Sequence, residues 1–330
     1  MKLADFDYEL PKELIAQYPL EDRASCRLMV VDRADESIRE FRFSRIADFL
    51  AKNDLLALNN TKVLTCRLKG HRLSGGKVEV FLLSRKSGLT FEALLKPGRL
   101  KLGEKIVFKN KDIFCSISGR NEVTFLDCDE EQVYNLGVIP LPPYIKREPE
   151  ELDKLYYQTV YASKKGSVAS PTAGLHFTEG LLDKIKAGGV ELGYVTLHVG
   201  HATFKPVKCE DITQHPMSTE HFSIPDETLV LLDKCRKNNG RICAVGTTSC
   251  RALETYAGQG MAQGDTSLFI YPGYKFRMVD RLLTNFHLPK TTLFMLVCAF
   301  AGEELAKRAY RKAVEDKFRF YSYGDAMLIL

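Results

Sequence analysis

Residues 55–84 read LLALNNTKVLTCRLKGHRLSGGKVEVFLLS, and this stretch decides the fold. Residues 55–58 form a short apolar run without alternation, which is typical of a strand buried on both faces of a parallel sheet. Residues 62–73 alternate between apolar and polar types, 74–76 indicate a turn, and 77–84 run back as a second strand. The chain is therefore predicted to leave an α/β sheet after its first strand and to enter an antiparallel unit.

More short strands are predicted at 90–95, 105–108, 113–117 and 122–126, with turns and no helix between them. Such even spacing is typical of a small antiparallel barrel or sandwich. We predict an inserted basic β-barrel domain over residues 62–128.

The flanking sequence alternates strands with helices. Thr178 and Gly188 are predicted to bound one helix, Asp226 to cap a second, and Ser44 to cap a third that buries Ile46, Phe49 and Leu50. Strands are predicted at 190–199, 241–245 and 282–286, and helices at 292–301 and 303–317. The alternation predicts an α/β fold with a largely parallel sheet and helices on both faces. This α/β catalytic domain would be discontinuous, covering residues 1–61 and 129–330.

The positive charge is concentrated in the predicted barrel. Residues 62–128 hold 14 Lys and Arg against 6 Asp and Glu, a net charge of +8, whereas the remaining 33 basic and 36 acidic residues give −3. A basic unit on a near-neutral body indicates a polyanionic partner such as RNA, and Arg67, Lys69, Arg72 and Lys77 are the candidate contacts. The alternative is a solvated, lysine-rich barrel surface.

Nine cysteines without a CxxC pair predict reduced thiols in a cytoplasmic protein. Residues 1–9 lack the apolar segment of a secretory signal, and the longest apolar run, 292–302, is too short to span a bilayer. We expect a soluble, unanchored protein.

Ligands bind open parallel sheets at the carboxyl ends of the strands, and polar residues follow four predicted strands here. These residues are Asn59, Asn60 and Thr61; His198, Gly200 and His201; Gly246, Thr247, Thr248 and Ser249 with Arg251; and Asn285, Phe286 and His287. One such group would be ordinary turn chemistry, but four at one edge predict a binding crevice.

Residues 246–249 place a glycine and hydroxyls between a strand and a helix. Free backbone N–H groups at a helix N-terminus suit a phosphate or a carboxylate. The lysine and glycine spacing of a P-loop are missing. The alternative is a simple helix cap by Ser249.

Three histidines are candidate proton carriers: His176, which follows a Pro-Thr-Ala-Gly turn, His198 and His287. Any one of them alone is more often a structural hydrogen-bonding residue. His198 and His201 have metal-pair spacing, but no further ligand is convincingly spaced, so no metal is predicted. Tyr321 and Tyr323 could stack on a base or only fill space.

Short stretches from the first residues to the last resemble the queuosine-pathway S-adenosylmethionine:tRNA ribosyltransferase-isomerases. They are ADF (4–6), LIA (14–16), LNNTKV (58–63), SGGKVEV (74–80), PLPPYI (140–145), YQTVY (157–161), PTAGLHF (171–177), VTLHVG (195–200), AVGTTS (244–249) with Arg251, TNFHLP (284–289) and FYSYGDAM (320–327). The order of so many matches leaves little room for coincidence.

The resemblance implies an α/β body with a β-barrel and a reaction in which S-adenosylmethionine is a consumed ribosyl donor. The acceptor would be 7-aminomethyl-7-deazaguanine at the wobble position of tRNA with a GUN anticodon. The products would be epoxyqueuosine-tRNA, adenine and methionine, without a metal or other cofactor. We expect a monomer.

The matching stretches extend the expected substrate-binding set. The added residues are Pro171, Thr172, Gly174, Phe177, Tyr323 and Asp325. We expect His176, His198 or His287 to act as acid or base, and Asn59, Asn60 and Thr248 to hold the ribose or the deazaguanine. The site at 246–249, with Arg251, would bind the methionine carboxylate or an anticodon phosphate.

The chain departs from the family pattern at His201-Ala202, where small residues are common, and at Ser170, where Ala is frequent. His201 therefore inherits no family role. Two alternative functions are a non-catalytic tRNA-binding adaptor and an S-adenosylmethionine-dependent RNA methyltransferase. The methyltransferase needs a glycine-rich turn after the first strand, which we do not find.

Overall fold

The structure is a computed structural model that describes residues 1–108, 113–200 and 207–330. Its strands are β1 (Arg27–Val31), β2 (Ile38–Arg42), β3 (Leu55–Asn59), β4 (Thr61–Val63), β5 (Arg67–Arg72), β6 (Lys77–Ser87), β7 (Thr90–Lys96), β8 (Lys105–Phe108), β9 (Phe114–Gly119), β10 (Glu122–Leu126), β11 (Gly137–Val138), β12 (Lys164–Ser167), β13 (Glu191–Leu197), β14 (Glu220–Ser223), β15 (Ile242–Val245), β16 (Gln263–Thr266), β17 (Arg281–Asn285) and β18 (Ala326–Ile329). Its α-helices are α1 (Glu130–Asn135), α2 (Glu151–Tyr156), α3 (Glu179–Ala187), α4 (Asp226–Lys237), α5 (Gly246–Gln259), α6 (Thr292–Ala301) and α7 (Glu303–Glu315).

Nine strands form one mixed sheet in the order β16-β14-β13-β3-β15-β17-β18-β1-β2. The four adjacent strands β13, β3, β15 and β17 are parallel to one another, as is the pair β18 and β1. The other pairings are antiparallel. The predicted α/β class is thus confirmed, with antiparallel strands at both margins of the sheet.

The central strand β3 shows why residues 55–58 are apolar without interruption. All five of its residues are buried. Leu55 and Ala57 belong to the hydrophobic core on one face of the sheet, and Leu56 and Leu58 belong to the core on the other face. Side chains alternate between faces, so a strand covered on both sides needs apolar residues at every position.

The barrel closes as predicted. Strands β5, β6, β7, β10, β9 and β8 pair in that order, and β5 also pairs with β8. A Cβ on Gly70 would lie 2.7 Å from Ile106 Cγ2, so glycine permits this close approach at the closure. The barrel core also contains Val133 and Val168, and β11 joins β5. The domain boundaries at 62 and 128 stay a prediction.

Several local elements differ from their predictions. β1 and β2 precede β3 in the same sheet, so the chain does not enter the barrel after its first strand. The helix α4 begins at Asp226, but its N-cap is Pro225 and it has no side-chain cap. Residues Phe43–Phe49 form a 3₁₀ helix whose N-cap is Arg42, rather than a helix capped by Ser44. Phe43 and Ile46 are its buried residues, and their spacing of three matches the 3₁₀ repeat. Leu50 is already extended. By contrast, the Thr178 cap and Gly188 end of α3 are confirmed.

None of the helices that the structure describes is long and apolar enough to cross a membrane.

Candidate active site

A cavity of about 380 Å³ lies at the carboxyl ends of β15 and β17. Its walls come from six parts of the chain: the loop after β11, the turn before α3, the residues after β13, the start of α5, the stretch from the end of β17 into α6, and the loop before β18. The lining residues are Pro143, Tyr144, Lys146, Ala169, Ser170, Pro171, Thr172, Ala173, Val199, Gly246, Thr247, Thr248, Thr284, Asn285, His287, Leu288, Pro289, Thr291, Leu293, Tyr321 and Ser322. The predicted residues Pro171, Thr172, Gly246, Thr247, Thr248, Asn285 and His287 are therefore brought together.

The two asparagines after β3 support the cavity wall from behind. Asn59 is fully buried and donates from Nδ2 to Leu197 O at 3.0 Å and to Thr248 Oγ1 at 3.1 Å. Asn60 Oδ1 accepts a hydrogen bond from Thr196 Oγ1 at 2.7 Å. Neither asparagine lines the cavity, so both position its wall in this structure.

Asn285, at the end of β17, connects three parts of the site. Its Oδ1 accepts a hydrogen bond from Thr172 Oγ1 at 2.8 Å, and its Nδ2 donates to Asp325 O at 3.3 Å. The same Nδ2 contacts His176 Nε2 at 3.0 Å. The side chain therefore ties the turn at residues 171–174 to the sheet edge.

His287 is the one predicted catalytic histidine that lines this cavity. Its Nε2 lies 2.8 Å from Thr284 Oγ1, its backbone N–H donates to the Tyr310 hydroxyl, and its carbonyl accepts from the Tyr8 hydroxyl. Burial lowers the pKa of His287 to about 3, because the charged ring would lose its hydration. The imidazole is neutral at pH 7.

His176 lies behind the cavity wall. Its Nδ1 is 3.2 Å from Cys26 Sγ, and its ring packs on Phe43. Burial, followed by the charges of Arg23 and Arg319, lowers the pKa of His176 to about 3. The ring borders a separate cavity of only about 20 Å³, which it shares with Tyr323.

His198 follows β13, which lies beyond β3 as seen from β15 and β17. Its Nδ1 lies 2.8 Å from Thr61 Oγ1, and a Cβ on Gly166 would come within 2.8 Å of its ring. Burial and the neighbouring His221 lower the pKa of His198. The structure does not bring this half-buried ring to the cavity.

The first turn of α5 presents a positive helix end to the cavity. Gly246 has a φ of 89°, a value that favours glycine, and the helix has no side-chain cap. Ser249 instead donates within the helix to Val245 O at 2.7 Å. The capping alternative is therefore wrong, and the N–H groups of the first turn remain for a ligand.

Arg251 does not line the cavity. Its guanidinium forms a buried ion pair with Glu220 and donates from Nε to Leu268 O at 3.0 Å. Arg251 is one turn further along α5 than Gly246–Thr248 and points to a different wall. The expectation that it assists the anion site is not supported by this position.

Five more predicted residues are buried in supporting roles. Phe177 and Phe286 are fully buried among other aromatic rings. Gly174 is packed so closely that a Cβ would lie 2.0 Å from the Tyr161 hydroxyl.

Tyr323 and Asp325 complete that set. The Tyr323 hydroxyl donates to Asp153 Oδ1 at 2.6 Å. Asp325 accepts hydrogen bonds from the backbone N–H groups of Arg27 and Arg319, and burial raises the pKa of its carboxyl group.

Two further walls line the cavity: sequence reasoning gave the first no role and left Tyr321 of the second as a base-stacking or space-filling residue. One contains Tyr144 and Lys146, and the other contains Tyr321 and Ser322. The Tyr144 and Tyr321 ring centroids are 3.9 Å apart, and the hydroxyls of Tyr144 and Ser322 share a short hydrogen bond. The stretches PLPPYI (140–145) and FYSYGDAM (320–327) match the family pattern and contain Tyr144, Tyr321 and Ser322. The resemblance could therefore have indicated both walls.

Three of the four predicted RNA contacts on the barrel are paired with carboxylates. The pairs are Arg67–Glu79 at 2.8 Å, Lys69–Glu148 at 2.7 Å and Arg72–Glu104 at 3.4 Å. Lys77 is exposed and forms no salt bridge with the described residues.

Within residues 1–108, 113–200 and 207–330, no three His, Cys, Asp or Glu side chains are grouped so that they could hold a metal ion. His201, the second member of the predicted pair spacing, lies outside the described residues, as does Ala202.

Similar proteins share the whole length of the chain. A family profile described as "Queuosine biosynthesis protein" matches residues 3–329. Proteins named S-adenosylmethionine:tRNA ribosyltransferase-isomerase from Sulfurihydrogenibium sp. (strain YO3AOP1) and Aquifex aeolicus (strain VF5) are 52% and 46% identical, and each alignment covers 100% of both chains. The crystal structure of S-adenosylmethionine tRNA ribosyltransferase from Thermotoga maritima is 36% identical, with a TM-score of 0.58 over 99% of this chain and 100% of that one.

The predicted resemblance is thus confirmed from one end of the chain to the other. Several of the stretches that carry it, among them residues 171–177, 244–249 and 284–289, form the cavity walls described above. The chain belongs to the queuosine biosynthesis protein family.

Proposed function

We propose that this protein is an S-adenosylmethionine:tRNA ribosyltransferase-isomerase. It transfers the ribosyl moiety of S-adenosylmethionine to 7-aminomethyl-7-deazaguanine at the tRNA wobble position and isomerises it. The products are epoxyqueuosine-tRNA, adenine and methionine, and S-adenosylmethionine is a consumed substrate. The full-length match to relatives of that name, at 46–52% identity, carries the proposal.

The α5 N-terminus is the proposed site for the methionine carboxylate. Gly246, Thr247 and Thr248 all line the cavity, and the helix lacks a side-chain cap. A carboxylate there would accept hydrogen bonds from free N–H groups and interact favourably with the helix dipole. This contact needs no arginine, which is consistent with the burial of Arg251 against Glu220.

His287 is the proposed base for the proton next to the sulfonium. Its place in the cavity wall supports this role, because a neutral imidazole has one nitrogen that can accept a proton. Departing adenine also needs a proton, which a neutral His287 does not supply before it has accepted one. We therefore place His287 first in the sequence of proton transfers, with His176 and His198 outside the reacting centre.

Tyr144 and Tyr321 are the proposed stacking surface for a purine-like ring. Both line the cavity, and their ring centroids are 3.9 Å apart. Aromatic side chains commonly stack on unpaired bases. Thr172 and Asn285 offer hydroxyl and amide groups for the ribose or the deazaguanine.

The proposed partner is a tRNA with a GUN anticodon that carries the modified wobble base. We further propose that the protein acts in the cytoplasm as a monomer. The inserted barrel, with its net charge of +8 over residues 62–128, supports a role in attracting RNA.

Two other functions are less well supported. A tRNA-binding adaptor would not need a cavity of about 380 Å³ with a buried imidazole in its wall. A methyltransferase would carry a glycine-rich turn after its first parallel strand, but residues 32–34 after β1 and residues 59–61 after β3 contain no glycine. Transfer of a labelled methyl group to RNA would favour the methyltransferase.

The test is incubation of the protein with S-adenosylmethionine and tRNA that carries the aminomethyl-deazaguanine base, followed by mass spectrometry of the nucleosides. We expect epoxyqueuosine together with equimolar adenine and methionine. Substrate tRNA recovered unchanged, or carrying only an added methyl group, would refute the proposal.

A further inference from the structure

Two lysines stand opposite each other on the two-stranded ladder formed by β4 and β12. Lys62 and Lys165 are Cα partners in this parallel pair, and both side chains are exposed. Residues directly opposite on paired strands present their side chains on one face, where like charges repel. Neither ammonium group forms a salt bridge with a carboxylate of the described residues. The ladder thus concentrates positive charge that the protein leaves unbalanced there.

On the barrel, by contrast, many basic side chains are paired with carboxylates. Six of its Lys and Arg residues have a carboxylate within 4.0 Å. They are Arg67, Lys69, Arg72, Arg85, Lys86 and Lys96. A nearby carboxylate cancels much of the electrostatic field of each of these six side chains. The number of basic residues on the barrel therefore overstates how strongly its face attracts a phosphate.

The ladder is joined directly to the candidate active site. Asn60 O accepts hydrogen bonds from the N–H groups of Ser163 and Lys164, at 2.9 and 3.1 Å. The preceding Asn59 contacts Thr248 Oγ1, on the cavity wall, at 3.1 Å. Lys62 is three residues from Asn59, about 10 Å along an extended strand. A polynucleotide that places one base in the cavity would pass its adjacent phosphates close to this ladder.

Lys165 also borders a concave surface large enough for a chain to lie against. A second cavity, of about 590 Å³, is lined by Lys165 and Gly166 of the ladder and by barrel residues such as Arg85 and Phe91. Three carboxylates at the start of α1 line the same cavity; Glu130 is bound to Arg85 at 2.6 Å, whereas Asp129 and Glu131 form no salt bridge with the described residues. Lys165 is therefore the cation of this wall without a salt-bridge partner among the described residues.

We propose that Lys62 and Lys165 together bind the backbone phosphates next to the nucleotide that enters the cavity. The inference rests on the proposed function, since it takes RNA as the substrate. It assigns the positioning contact to the β4–β12 ladder rather than to the paired cations of the barrel face.

The test compares two double variants that each remove two positive charges. Lys62→Gln/Lys165→Gln alters the ladder, and Lys184→Gln/Lys186→Gln alters exposed lysines of α3 as the control. Binding of an anticodon stem-loop RNA is measured by filter binding over a range of salt concentrations. The ladder variant should bind about tenfold more weakly, and its salt slope should fall by about 1 for each lysine. The control should match wild type, and calorimetry should give all three proteins the same affinity for S-adenosylmethionine.

A ladder variant with wild-type RNA affinity and salt slope, or equal losses in both double variants, would overturn the inference. The proposed function fails separately. If wild type bound RNA through these lysines but formed no epoxyqueuosine, the phosphate contact would stand and the reaction would be refuted.

Discussion

The carboxyl edge of the central sheet and the outer face of the barrel are both rich in polar residues, yet they use them in opposite ways. At the sheet edge, Asn59, Asn285 and His287 are buried, and their polar atoms are bound to neighbours around a cavity. On the barrel, Arg67 and Lys69 are partly or largely exposed and paired with glutamates. Buried polar groups are costly unless bonded, so such a network indicates a purpose-built site, whereas surface charge alone does not.

The largest expected effect separates two histidines that look alike in sequence. His287→Ala removes the imidazole that lines the cavity, and turnover of modified tRNA should fall by roughly 10²- to 10⁴-fold. His198→Ala should lose far less, because that ring packs against Gly166 away from the cavity. Both kcat values are measured by epoxyqueuosine formation, with circular dichroism to verify folding. A greater loss of turnover in His198→Ala than in His287→Ala would make His198, rather than His287, the catalytic histidine.

A pH titration of stability tests the burial of His176 and His287. Their folded pKa values of about 3 lie below the ordinary value of about 6.5, so the unfolded chain binds more protons between those limits. Stability is therefore complete above about pH 6.5 and falls as the pH drops towards 3. At about pH 4.5 the burial of each neutral ring should lower the free energy of unfolding by roughly 2–3 kcal/mol relative to neutral pH.

The measurement is urea unfolding at neutral and acidic pH for wild type and for His176→Asn/His287→Asn. The double variant should show a shallower dependence on pH. Gly180→Ala, which changes no titratable group, is the control and should keep the wild-type slope. Identical slopes in all three proteins would contradict the burial of the two rings as the cause.

The crowding of the sheet edge is tested by a glycine substitution. A Cβ on Gly324, in the loop before β18, would lie 2.4 Å from Arg319 O and 2.5 Å from Phe320 C, both backbone atoms. Gly324→Ala should lower the free energy of unfolding by about 1–3 kcal/mol. Gly180→Ala on α3, where a Cβ meets nothing within 4 Å, should be neutral or slightly stabilising. Equal free energies of unfolding for Gly324→Ala and Gly180→Ala, measured in urea, would show that the loop backbone can shift to accommodate the added Cβ.

The smallest expected effect concerns the barrel. Arg67→Gln breaks a partly exposed pair with Glu79 and should change the free energy of unfolding by less than about 1 kcal/mol. Its RNA affinity should fall much less than that of Lys62→Gln/Lys165→Gln, because Glu79 already offsets the Arg67 charge. Filter binding gives the comparison. A loss as large as that of the ladder variant would mean that the barrel face contacts RNA after all.

Patterns with a local physical cause could be predicted from the sequence. The apolar run at residues 55–58 predicted a strand covered on both faces, and the alternation around Ser74–Gly76 predicted a barrel hairpin, since side-chain direction repeats every two residues. The 3₁₀ helix at Phe43–Phe49 was mistaken for a capped α-helix. Apolar side chains that recur every three or four residues are compatible with either helix type.

The site was only partly predictable because strand order is not a local property. Four strand ends carried polar residues, but the His198 ring lies against Thr61 and Gly166, whereas the next residue, Val199, lines the cavity. Tyr144 and Tyr321 meet only in the folded chain, and nothing near either residue specifies the other. The family resemblance pointed to both stretches, but base stacking was considered for Tyr321 alone and Tyr144 had no predicted role.

The most direct measurement is a crystal structure of the protein with S-adenosylmethionine bound. We predict that the methionine carboxylate binds at the N–H groups of Gly246–Thr248 and that the sulfonium lies within reach of His287, inside the cavity at the ends of β15 and β17. Density for the ligand in the cavity between the barrel and the β4–β12 ladder, or with its carboxylate away from α5, would contradict this prediction.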